Sequence, residues 1–463
     1  QWTVRAARET TGATAIERIE QLYGEALALL GPDDPARADV LLERAAAAAR
    51  ALRLGPARRD LLEAAPLVEA SGDPRHVVRS ALIESELAQW SNDQTAALAA
   101  VEEALAVAES LDDPILLADG LRQRGMVELF SDRHEDAERS IGAALEAYDR
   151  ADDAAGMAWA RQNLAWISYV SGRMVEAEQR LSDSIVAMES IGDPAGIMWS
   201  RGLLAYVRIF AGRFAEAEEL ARRTLEESRE RGDKWGQGMM NVALATAALW
   251  TGRVDEALQR TAQARTLFPA DADPMGPAQA VAIEARALIR SGRITEGFRV
   301  LSNALADETP HPGQQVLEIA LAAASATVGD IAMGRRSFQQ ISRFDPDQLG
   351  ESDFAVANAL IQLQRGDIDG ASRLFEVMPS ETGEGSTWGW AALALVASAA
   401  GKDSDTYVAL VEESSRSTYA DRVIARCAAA CAAARAGDES GARVALDRAY
   451  EAVPLGGDRV HPT

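Results

Sequence analysis

The sequence has few of the residues on which several kinds of protein depend. It contains two cysteines, Cys427 and Cys431, in 463 residues, which excludes a scaffold held together by disulfides. The two stand one helical turn apart with no histidine or further cysteine nearby, so we expect small buried thiols in a reducing, cytoplasmic compartment and not half of a zinc site. No apolar run reaches the roughly 18 residues that a membrane-spanning helix needs, so no membrane contact is expected.

Positive charge is also scarce. There are 47 Lys and Arg residues against 71 Asp and Glu residues, for a net charge of −24. A surface of this charge repels phosphate backbones, so we expect no direct contact with nucleic acid. Gln1 is not an initiator methionine, and residues 1–11 lack a hydrophobic signal core. We therefore expect the chain to be cut from a longer polypeptide or processed.

Residues that carry out chemistry are few. The sequence contains four histidines: His76, His134, His311 and His461. None has a Cys, Asp or Glu partner at metal-ligand spacing, so all four are expected at the surface. Gly401-Lys402-Asp403 lacks the first glycine and the Ser or Thr of a phosphate-binding loop, and no nucleophile constellation is evident. We predict a non-enzymatic protein without metal or cofactor.

What the sequence does have is a repeat. The stretch from Ala158 to Asp193 is typical of a helix, a tight turn, a second helix and a loop. Residues suited to tight turns recur every 40 positions: Asn92, Asp132, Gly172, Gly212, Gly252 and Gly292. An aspartate suited to begin the next helix recurs at the same spacing: Asp73, Asp113, Asp153, Asp193, Asp233 and Asp273. A fixed period of this length, with turn and helix-start chemistry in register, predicts a solenoid of helix hairpins.

Two columns of small residues keep the same register. Seven residues before the turns stand Ser85, Gly125, Ala165, Ala205, Ala245 and Ala285. Five residues after the turns stand Ala97, Ala137, Ala177, Ala217, Ala257 and Gly297. Small side chains let two antiparallel helices approach closely. We therefore expect these positions to be buried where the two helices of each hairpin meet.

After Gly292 the spacing between turns shortens to 35–37 residues: the turns are Gly329, Gly366, Gly401 and Gly437. We divide the chain into an N-terminal segment with a first helix pair (1–54), regular repeats (55–305), shorter degenerate repeats (306–453) and a tail (454–463). The early helices are expected over 13–30, over 35–52 and, after a turn at Gly55-Pro56, from about residue 57. The predicted fold is an all-α, right-handed superhelix of about 22 helices.

These motifs resemble the tetratricopeptide repeat, whose pattern places Leu-Ala or Leu-Gly in the first helix, a turn, an apolar residue and an Ala in the second. Three matching sets are Leu164, Ala165, Gly172, Met174, Ala177; Leu204, Ala205, Gly212, Phe214, Ala217; and Leu244, Ala245, Gly252, Val254, Ala257. The resemblance covers about residues 55–300 well, although the period is 40. Repeats of this longer kind are similar to the sensor superhelix of large ATP-binding LuxR-type (MalT-like) regulators and of bacterial signal-transduction ATPases.

The resemblance implies that the first helix of each hairpin lines a concave groove. The family's inward positions carry aromatic residues here, although aromatics make up only 5% of the chain. The candidate groove residues are Trp159, Trp166, Tyr169, Trp199, Tyr206, Phe210, Met239 and Trp250. Either these side chains pack neighbouring first helices together, or they form a groove for a peptide, a partner helix or a small apolar effector. We expect Trp166, Tyr206 and Trp250, together with Trp159 and Trp199, to line one continuous aromatic strip, with Phe210 and Met239 at its rim.

Two functions remain open at this point. The leading hypothesis is that the chain is the regulatory or sensor superhelix of a bacterial signal-transduction ATPase or transcription regulator. The resemblance implies that such a superhelix binds an inducer or an inhibitory protein. The alternative is a free-standing adaptor or scaffold that assembles protein partners. Basic side chains are mostly absent from the inward positions, so a clamp for a peptide carboxylate is not expected.

Overall fold

The computed structural model describes residues 15–32, 34–268, 275–291, 293–306, 313–328, 353–377, 387–415 and 417–452. Within these ranges all regular structure is helical. The helices are α1 Ala15–Leu29, α2 Ala36–Arg50, α3 Leu54–Ser71, α4 Pro74–Trp90, α5 Gln94–Ala108, α6 Pro114–Leu129, α7 His134–Arg150, α8 Ala154–Val170, α9 Met174–Ile191, α10 Pro194–Phe210, α11 Phe214–Glu230, α12 Lys234–Trp250, α13 Val254–Leu267, α14 Met275–Arg290, α15 Ile294–Ala304, α16 Gln314–Val328, α17 Asp353–Gln364, α18 Ile368–Ser372, α19 Leu374–Val377, α20 Thr387–Ala400, α21 Asp405–Glu413, α22 Tyr419–Arg435 and α23 Glu439–Ala452. If α18 and α19 are taken as one helix interrupted at Arg373, the described helices number 22.

The predicted helix-hairpin solenoid is confirmed, and its turns have the expected conformation. Positive φ angles occur at the described turn residues: Asn92, Asp132, Gly172, Gly212, Gly252, Gly366, Gly401 and Gly437. Side chains other than Gly rarely adopt this region, and Asn and Asp adopt it most readily, which explains the residue types at the turns. Gly292 and Gly329 lie outside the described residues.

The periodic aspartates begin the first helix of each hairpin. Asp73, Asp113, Asp153, Asp193 and Asp233 all accept hydrogen bonds from backbone N–H groups in the first turn of α4, α6, α8, α10 and α12. Asp193 Oδ1, for example, accepts from the amides of Ala195 and Gly196, both at 3.0 Å. Such caps satisfy donors that have no partner within the helix. Asp273 lies outside the described residues.

The two small-residue columns lie at the contact between the helices of each hairpin. The serine and alanine members are all 0–1% exposed. Ser85 Oγ donates to the carbonyl oxygen of Ala97 at 2.8 Å, which joins the two columns directly. A Cβ atom at Gly125 would lie 2.4 Å from Cγ1 of Ile141, so this hairpin tolerates only hydrogen at that position.

A ladder of ion pairs links successive hairpins. After the turn glycines Gly172, Gly212 and Gly252, an arginine reaches the second helix of the preceding hairpin, where a glutamate recurs every 40 residues. Arg173 pairs with Glu138 at 2.9 Å and Arg213 with Glu178 at 2.5 Å. Arg253 pairs with Glu218 in the same way. These pairs are partly exposed, so each contributes no more than about 1 kcal/mol, but their repetition sets the orientation of each hairpin on the next.

The first helices form the inner side of the solenoid. Each of α4, α6, α8, α10, α12 and α14 packs against the next member of this series. Among the described residues, no two successive second helices from α5 to α13 pack comparably. Elements on the inside of a curved array lie closer together than those on the outside, so the first helices line the concave surface.

Some expectations about single residues are corrected. Gly55 and Pro56 lie inside the first turn of α3 instead of forming a turn, because a proline there blocks no helical hydrogen bond. His76 is buried, not exposed: its Nε2 lies 3.1 Å from Asp39 Oδ1 and its Nδ1 lies 3.0 Å from Ser71 Oγ. Cys427 is buried as expected, whereas Cys431 is exposed.

Other expectations fall outside the described residues, namely those for residues 1–11, His311, His461 and the tail 454–463. Across the helices that the structure describes, none is long and apolar enough to cross a membrane. In the same ranges, no three His, Cys, Asp or Glu side chains are grouped closely enough to hold a metal ion.

Candidate binding surface on the first helices

The eight predicted groove residues lie on α8, α10 and α12. None of them is buried, and Phe210 is exposed. Tyr169, Tyr206, Met239 and Trp250 pack against one core cluster and Trp166 packs against another. These side chains therefore contact neighbouring helices on one side and keep part of their surface accessible, as large aromatic side chains often do.

Five rings form one continuous line that we call the aromatic ridge. Its members are Trp90, Phe130, Trp166, Trp199 and Trp235, one from each of α4, α6 (at its C-cap), α8, α10 and α12. Successive ring centroids are 5.4, 5.6, 5.8 and 4.7 Å apart, all within the range of favourable aromatic contact. The ridge begins at the C-terminal ends of the first helices and reaches their N-terminal ends at α12. It therefore crosses the inner surface diagonally.

A second row lies along the C-terminal ends of three first helices. Tyr169 contacts Phe210 with centroids 6.1 Å apart, and Phe210 contacts Trp250 at 5.3 Å. The predicted strip is therefore divided between two rows. Trp166 and Trp199 are in ring contact and belong to the ridge, whereas Trp250 belongs to the second row.

Tyr206 stands apart from both rows of ring contacts. Its hydroxyl donates to Gln279 Oε1 of α14 at 3.4 Å. Burial raises the pKa values of Tyr206 and Tyr169 well above the ordinary value for tyrosine, so both hydroxyls stay protonated. The hydroxyl proton of Tyr206 is committed to Gln279, whereas Tyr169 offers a hydrogen-bond donor beside apolar ring surface.

Trp159 is tied to the next hairpin through the loop aspartate. Its Nε1 donates to Asp193 Oδ2 at 2.9 Å, while the other carboxylate oxygen of Asp193 caps α10. Asp193 therefore performs two tasks, and the sequence pattern predicted only the cap. Met239 lies in the core cluster that joins α10 to α12.

Replacing Asp193 with alanine should cost more stability than the same change at Asp153. Both variants lose an N-cap, worth about 0.5–2 kcal/mol. Asp193→Ala also leaves the indole N–H of Trp159 without its acceptor, and we expect about 1 kcal/mol more. Denaturant unfolding followed by circular dichroism measures both changes. Equal losses would show that the indole bond contributes nothing.

Charged side chains also occupy the inner surface on the two helices where the ridge begins. Glu86 on α4, and Asp119 and Arg122 on α6, are half-buried at the inward positions. Burial raises the pKa of Glu86, and Arg122 and Arg50 oppose this only in part. Asp119 accepts a hydrogen bond from the hydroxyl of the buried Tyr148, and burial raises its pKa too. Sequence analysis overlooked this group, although the 40-residue register places Glu86 in line with Trp166.

Glu86→Gln should stabilise the protein at neutral pH and not in acid. The folded pKa of Glu86 lies above its ordinary value of 4.5, so ionisation is less favourable in the folded than in the unfolded chain. The resulting loss in the free energy of unfolding is absent below pH 4.5 and develops as the pH rises through the folded pKa. Melting temperatures of both proteins from pH 4 to 8 should therefore diverge with rising pH. Glu84→Gln, at an exposed position of the same helix, is the control for the loss of one carboxylate. A Glu86→Gln curve parallel to wild type would contradict the expectation.

Comparison with known proteins finds solved structures of similar fold but no similar sequence. No family model matches the sequence, and neither does any curated protein. The crystal structure of NprR in complex with its cognate peptide NprX has 12% sequence identity and a TM-score of 0.51, covering 71% of this chain and 97% of that chain. That of a Rap protein complexed with Competence and Sporulation Factor has 14% identity and a TM-score of 0.55, covering 74% and 98%. A tetratricopeptide repeat protein from Parabacteroides merdae has 12% identity and a TM-score of 0.41, covering 62% and 99%.

This chain shares the helical-repeat fold of NprR and the Rap protein. It is an all-α solenoid of tetratricopeptide-like hairpins, as the period, the turns and the small-residue columns predicted. At 12–14% identity the likeness concerns the fold, and the function has to be argued from the inner surface itself.

Proposed function

We propose that this chain is a non-enzymatic regulatory module that binds a peptide, or an extended segment of a partner protein, along the aromatic ridge. The observation that carries the proposal is the line of five contacting rings on the inner surface, whose three central members, Phe130, Trp166 and Trp199, are only half-buried. Leaving such a surface in water costs about 25 cal/mol per Å² of apolar area. A contiguous apolar patch of this kind usually marks an interaction site.

The shape of the ridge favours an extended segment over a compact small molecule. Four centroid intervals of 4.7–5.8 Å make the ridge about 20 Å long. An extended chain advances about 3.3 Å per residue, so the ridge matches roughly six residues. Tyr169 and Phe210 of the second row lie beside it and widen the apolar surface.

The remaining surroundings suit a peptide. At the α4–α6 end of the ridge, Glu86, Asp119 and Arg122 offer both signs of charge to the ends or side chains of a ligand. The Tyr169 hydroxyl of the second row can donate to a backbone carbonyl group. Of the two similar structures described above, NprR is in complex with its cognate peptide NprX, and the Rap protein is complexed with Competence and Sporulation Factor. They support the proposal by analogy of fold.

We further propose that the module belongs to a larger regulator, either a bacterial signal-transduction ATPase or a transcription regulator of the MalT-like type, and that it acts in the cytoplasm. The binding of a segment on the inner surface would then change the relative orientation of neighbouring hairpins. That change would be transmitted along the superhelix to a flanking domain. The second candidate is a free-standing adaptor that assembles protein partners. The intact reading frame separates the two, because an encoded nucleotide-binding or DNA-binding domain supports the regulator.

A peptide selection tests the proposed site. A random library of six-residue peptides is panned on the intact chain, and the selected peptides are then measured by hydrogen exchange. We expect slower amide exchange in α6, α8 and α10, whose side chains make the ridge. Protection confined to second helices such as α9 and α11 would refute the site, and a selection without any enriched peptide would refute peptide binding.

A further inference from the structure

A cavity lies among the helices that follow the aromatic rows. Helices α14, α16, α17, α20 and α22 surround a volume of about 410 Å³, a size common for ligand pockets. The first and last of these helices meet, because the guanidinium of Arg290 on α14 lies 5.6 Å from the ring centroid of Tyr419 on α22. The aromatic ridge lies on α4 to α12, so the cavity is a separate site and an inference about it does not rest on the proposed peptide binding.

The wall of the cavity is almost wholly apolar. Helix α22 contributes a stripe of residues three or four positions apart, which therefore lie on one side of the helix: Val423, Cys427, Ala430 and Ala434. Three other helices add the apolar side chains of Ala324, Leu360 and Trp388. Such a wall favours an alkyl or aromatic ligand over a sugar or nucleotide, which would need many polar partners.

The two arginines of the wall, Arg286 and Arg290, are already engaged. Arg290 Nη1 donates to the carbonyl oxygen of Leu249 at 3.2 Å. Its guanidinium also lies over the Tyr419 ring and stabilises the charged form of the buried Asp421. Arg286 likewise has a partner. A charged ligand would lose its hydration here without meeting an unpaired opposite charge, which is costly.

A neutral apolar ligand would leave these interactions in place. In the described part of the chain, none of the buried side-chain nitrogen or oxygen atoms without a partner belongs to a lining residue. The wall therefore requires no hydrogen-bonding group from a ligand. Water in such a space finds few polar partners, so its displacement by apolar surface is favourable.

The cavity is open to solvent on one side. Cys431 and Ala434 of α22 are exposed lining residues, and Leu446 of α23 beside them is 41% exposed. The other end is closed, since Ala324 and Val423 are 2% and 3% exposed. A ligand can therefore enter between α22 and α23 without separating the helices at the closed end.

We propose that this cavity binds a neutral, apolar small molecule with two or three rings, or with an alkyl chain of the same volume. A cavity of about 150 Å³ with an apolar lining is large enough for benzene. The cavity of about 410 Å³ therefore accommodates a molecule about two to three times as large. The ligand lies against the stripe on α22, and burial of its apolar surface supplies the affinity.

Two fluorescent probes with the same carbon skeleton test the proposal on the intact chain. N-phenylnaphthylamine is neutral and has three aromatic rings, and anilinonaphthalenesulfonate carries one additional sulfonate group. The fluorescence of both rises when they leave water, so titration gives both affinities. The neutral probe should bind at least about tenfold more tightly, because the sulfonate would lose its hydration in the cavity.

A variant that fills the cavity locates the neutral probe. Ala430 is 5% exposed and lies in the middle of the α22 stripe. Ala430→Trp should weaken binding roughly tenfold or more, because the indole occupies the same space. It should not lower the melting temperature, since the added atoms enter a cavity and displace no neighbour. Ala215→Trp, at an exposed position of α11, is the matched control and should change neither quantity.

A second measurement needs no variant. The neutral probe should slow the modification of Cys431, which lines the cavity, by a thiol reagent. Burial raises the pKa of Cys427 to about 11, so that thiol stays protonated and reacts little at neutral pH. Modification then reports on Cys431.

The possible results separate the cavity from the ridge. Equal affinity for the two probes would overturn the neutral class of ligand. Binding that survives Ala430→Trp but is lost in Trp166→Ala would place the probe on the aromatic ridge and overturn the cavity site. Modification of Cys431 at its full rate under saturating probe would contradict the site even if Ala430→Trp failed to fold. No binding of the neutral probe would refute the proposal outright, and it would leave peptide binding at the ridge untouched.

Discussion

Replacing Trp166 with alanine should weaken the binding of a selected peptide roughly 30- to 1000-fold. Trp166 is the central ring of the ridge and contacts Phe130 on one side and Trp199 on the other. Its removal opens a gap in the middle of the proposed contact, where truncation of a tryptophan typically costs about 2–4 kcal/mol of binding free energy. The change also separates the two halves of the ridge. Titration of the peptide into both proteins measures the loss.

Three controls make this result interpretable. Trp166→Phe keeps an aromatic ring and should weaken binding less than the alanine variant. Tyr450→Ala removes an aromatic side chain that is 68% exposed on α23, far from the ridge, and should leave affinity unchanged. Circular dichroism must show that the helices persist in Trp166→Ala. A folded Trp166→Ala protein that binds the peptide normally would place the binding site elsewhere.

Local chemistry made most of the fold predictable from the sequence. A residue with positive φ, an aspartate that caps a helix and two small residues at a close helix contact each depend on neighbours within one hairpin. The turn at Gly172, the helix cap at Asp193 and the close helix contact at Ala205 could therefore be predicted from the sequence. The ion-pair ladder is also periodic, since Arg173–Glu138, Arg213–Glu178 and Arg253–Glu218 occupy equivalent positions 40 residues apart. Each pair links two hairpins, however, so the pattern within one hairpin does not reveal it.

Contacts between distant side chains were less predictable. The 40-residue register counts backbone positions, whereas an indole ring extends beyond one helical turn. Trp166 therefore meets Trp199, which is only 33 positions later, instead of Tyr206. The burial of His76 depends likewise on Asp39 and Ser71, which belong to other elements. A cavity of about 410 Å³ among α14, α16, α17, α20 and α22 brings together residues that are far apart in the sequence, which no single motif encodes.

The residue types on the inner surface can differ from one hairpin to the next, because packing within the repeat does not require particular residues there. Burial between paired helices permits only small residues in the two columns, whereas the inward positions face the open side of the array. The inward positions therefore carry different chemistry: Glu86 and Arg122 lie on α4 and α6, the aromatic ridge crosses from α4 to α12, and the second row lies on α8, α10 and α12. Positions that break the period while their neighbours keep it are thus the best sequence signal for function in such a protein.

Ala205→Leu should destabilise the protein by about 1–3 kcal/mol. Ala205 is 0% exposed on α10 and belongs to a cluster that includes Ala217 of α11 and Leu181 of α9. Three further carbon atoms can fit there only if the two helices of the hairpin move apart. A solenoid is stabilised mainly by contacts between neighbouring hairpins, so the damage should stay local. We expect a lower melting temperature, and faster hydrogen exchange in α8 to α13 with little change in α2 to α4.

Ala215→Leu is the matched control, because Ala215 lies on the partner helix α11 and is exposed. It adds the same atoms to the same hairpin and should change the melting temperature little, since no neighbour is displaced. If both leucine variants melt like the wild type, Ala205 is not at a close helix contact and the small-residue register is wrong. If Ala205→Leu instead speeds exchange equally from α2 to α23, the chain unfolds as one cooperative unit. Peptide binding on the ridge would then change the stability of the helices at both ends of the superhelix.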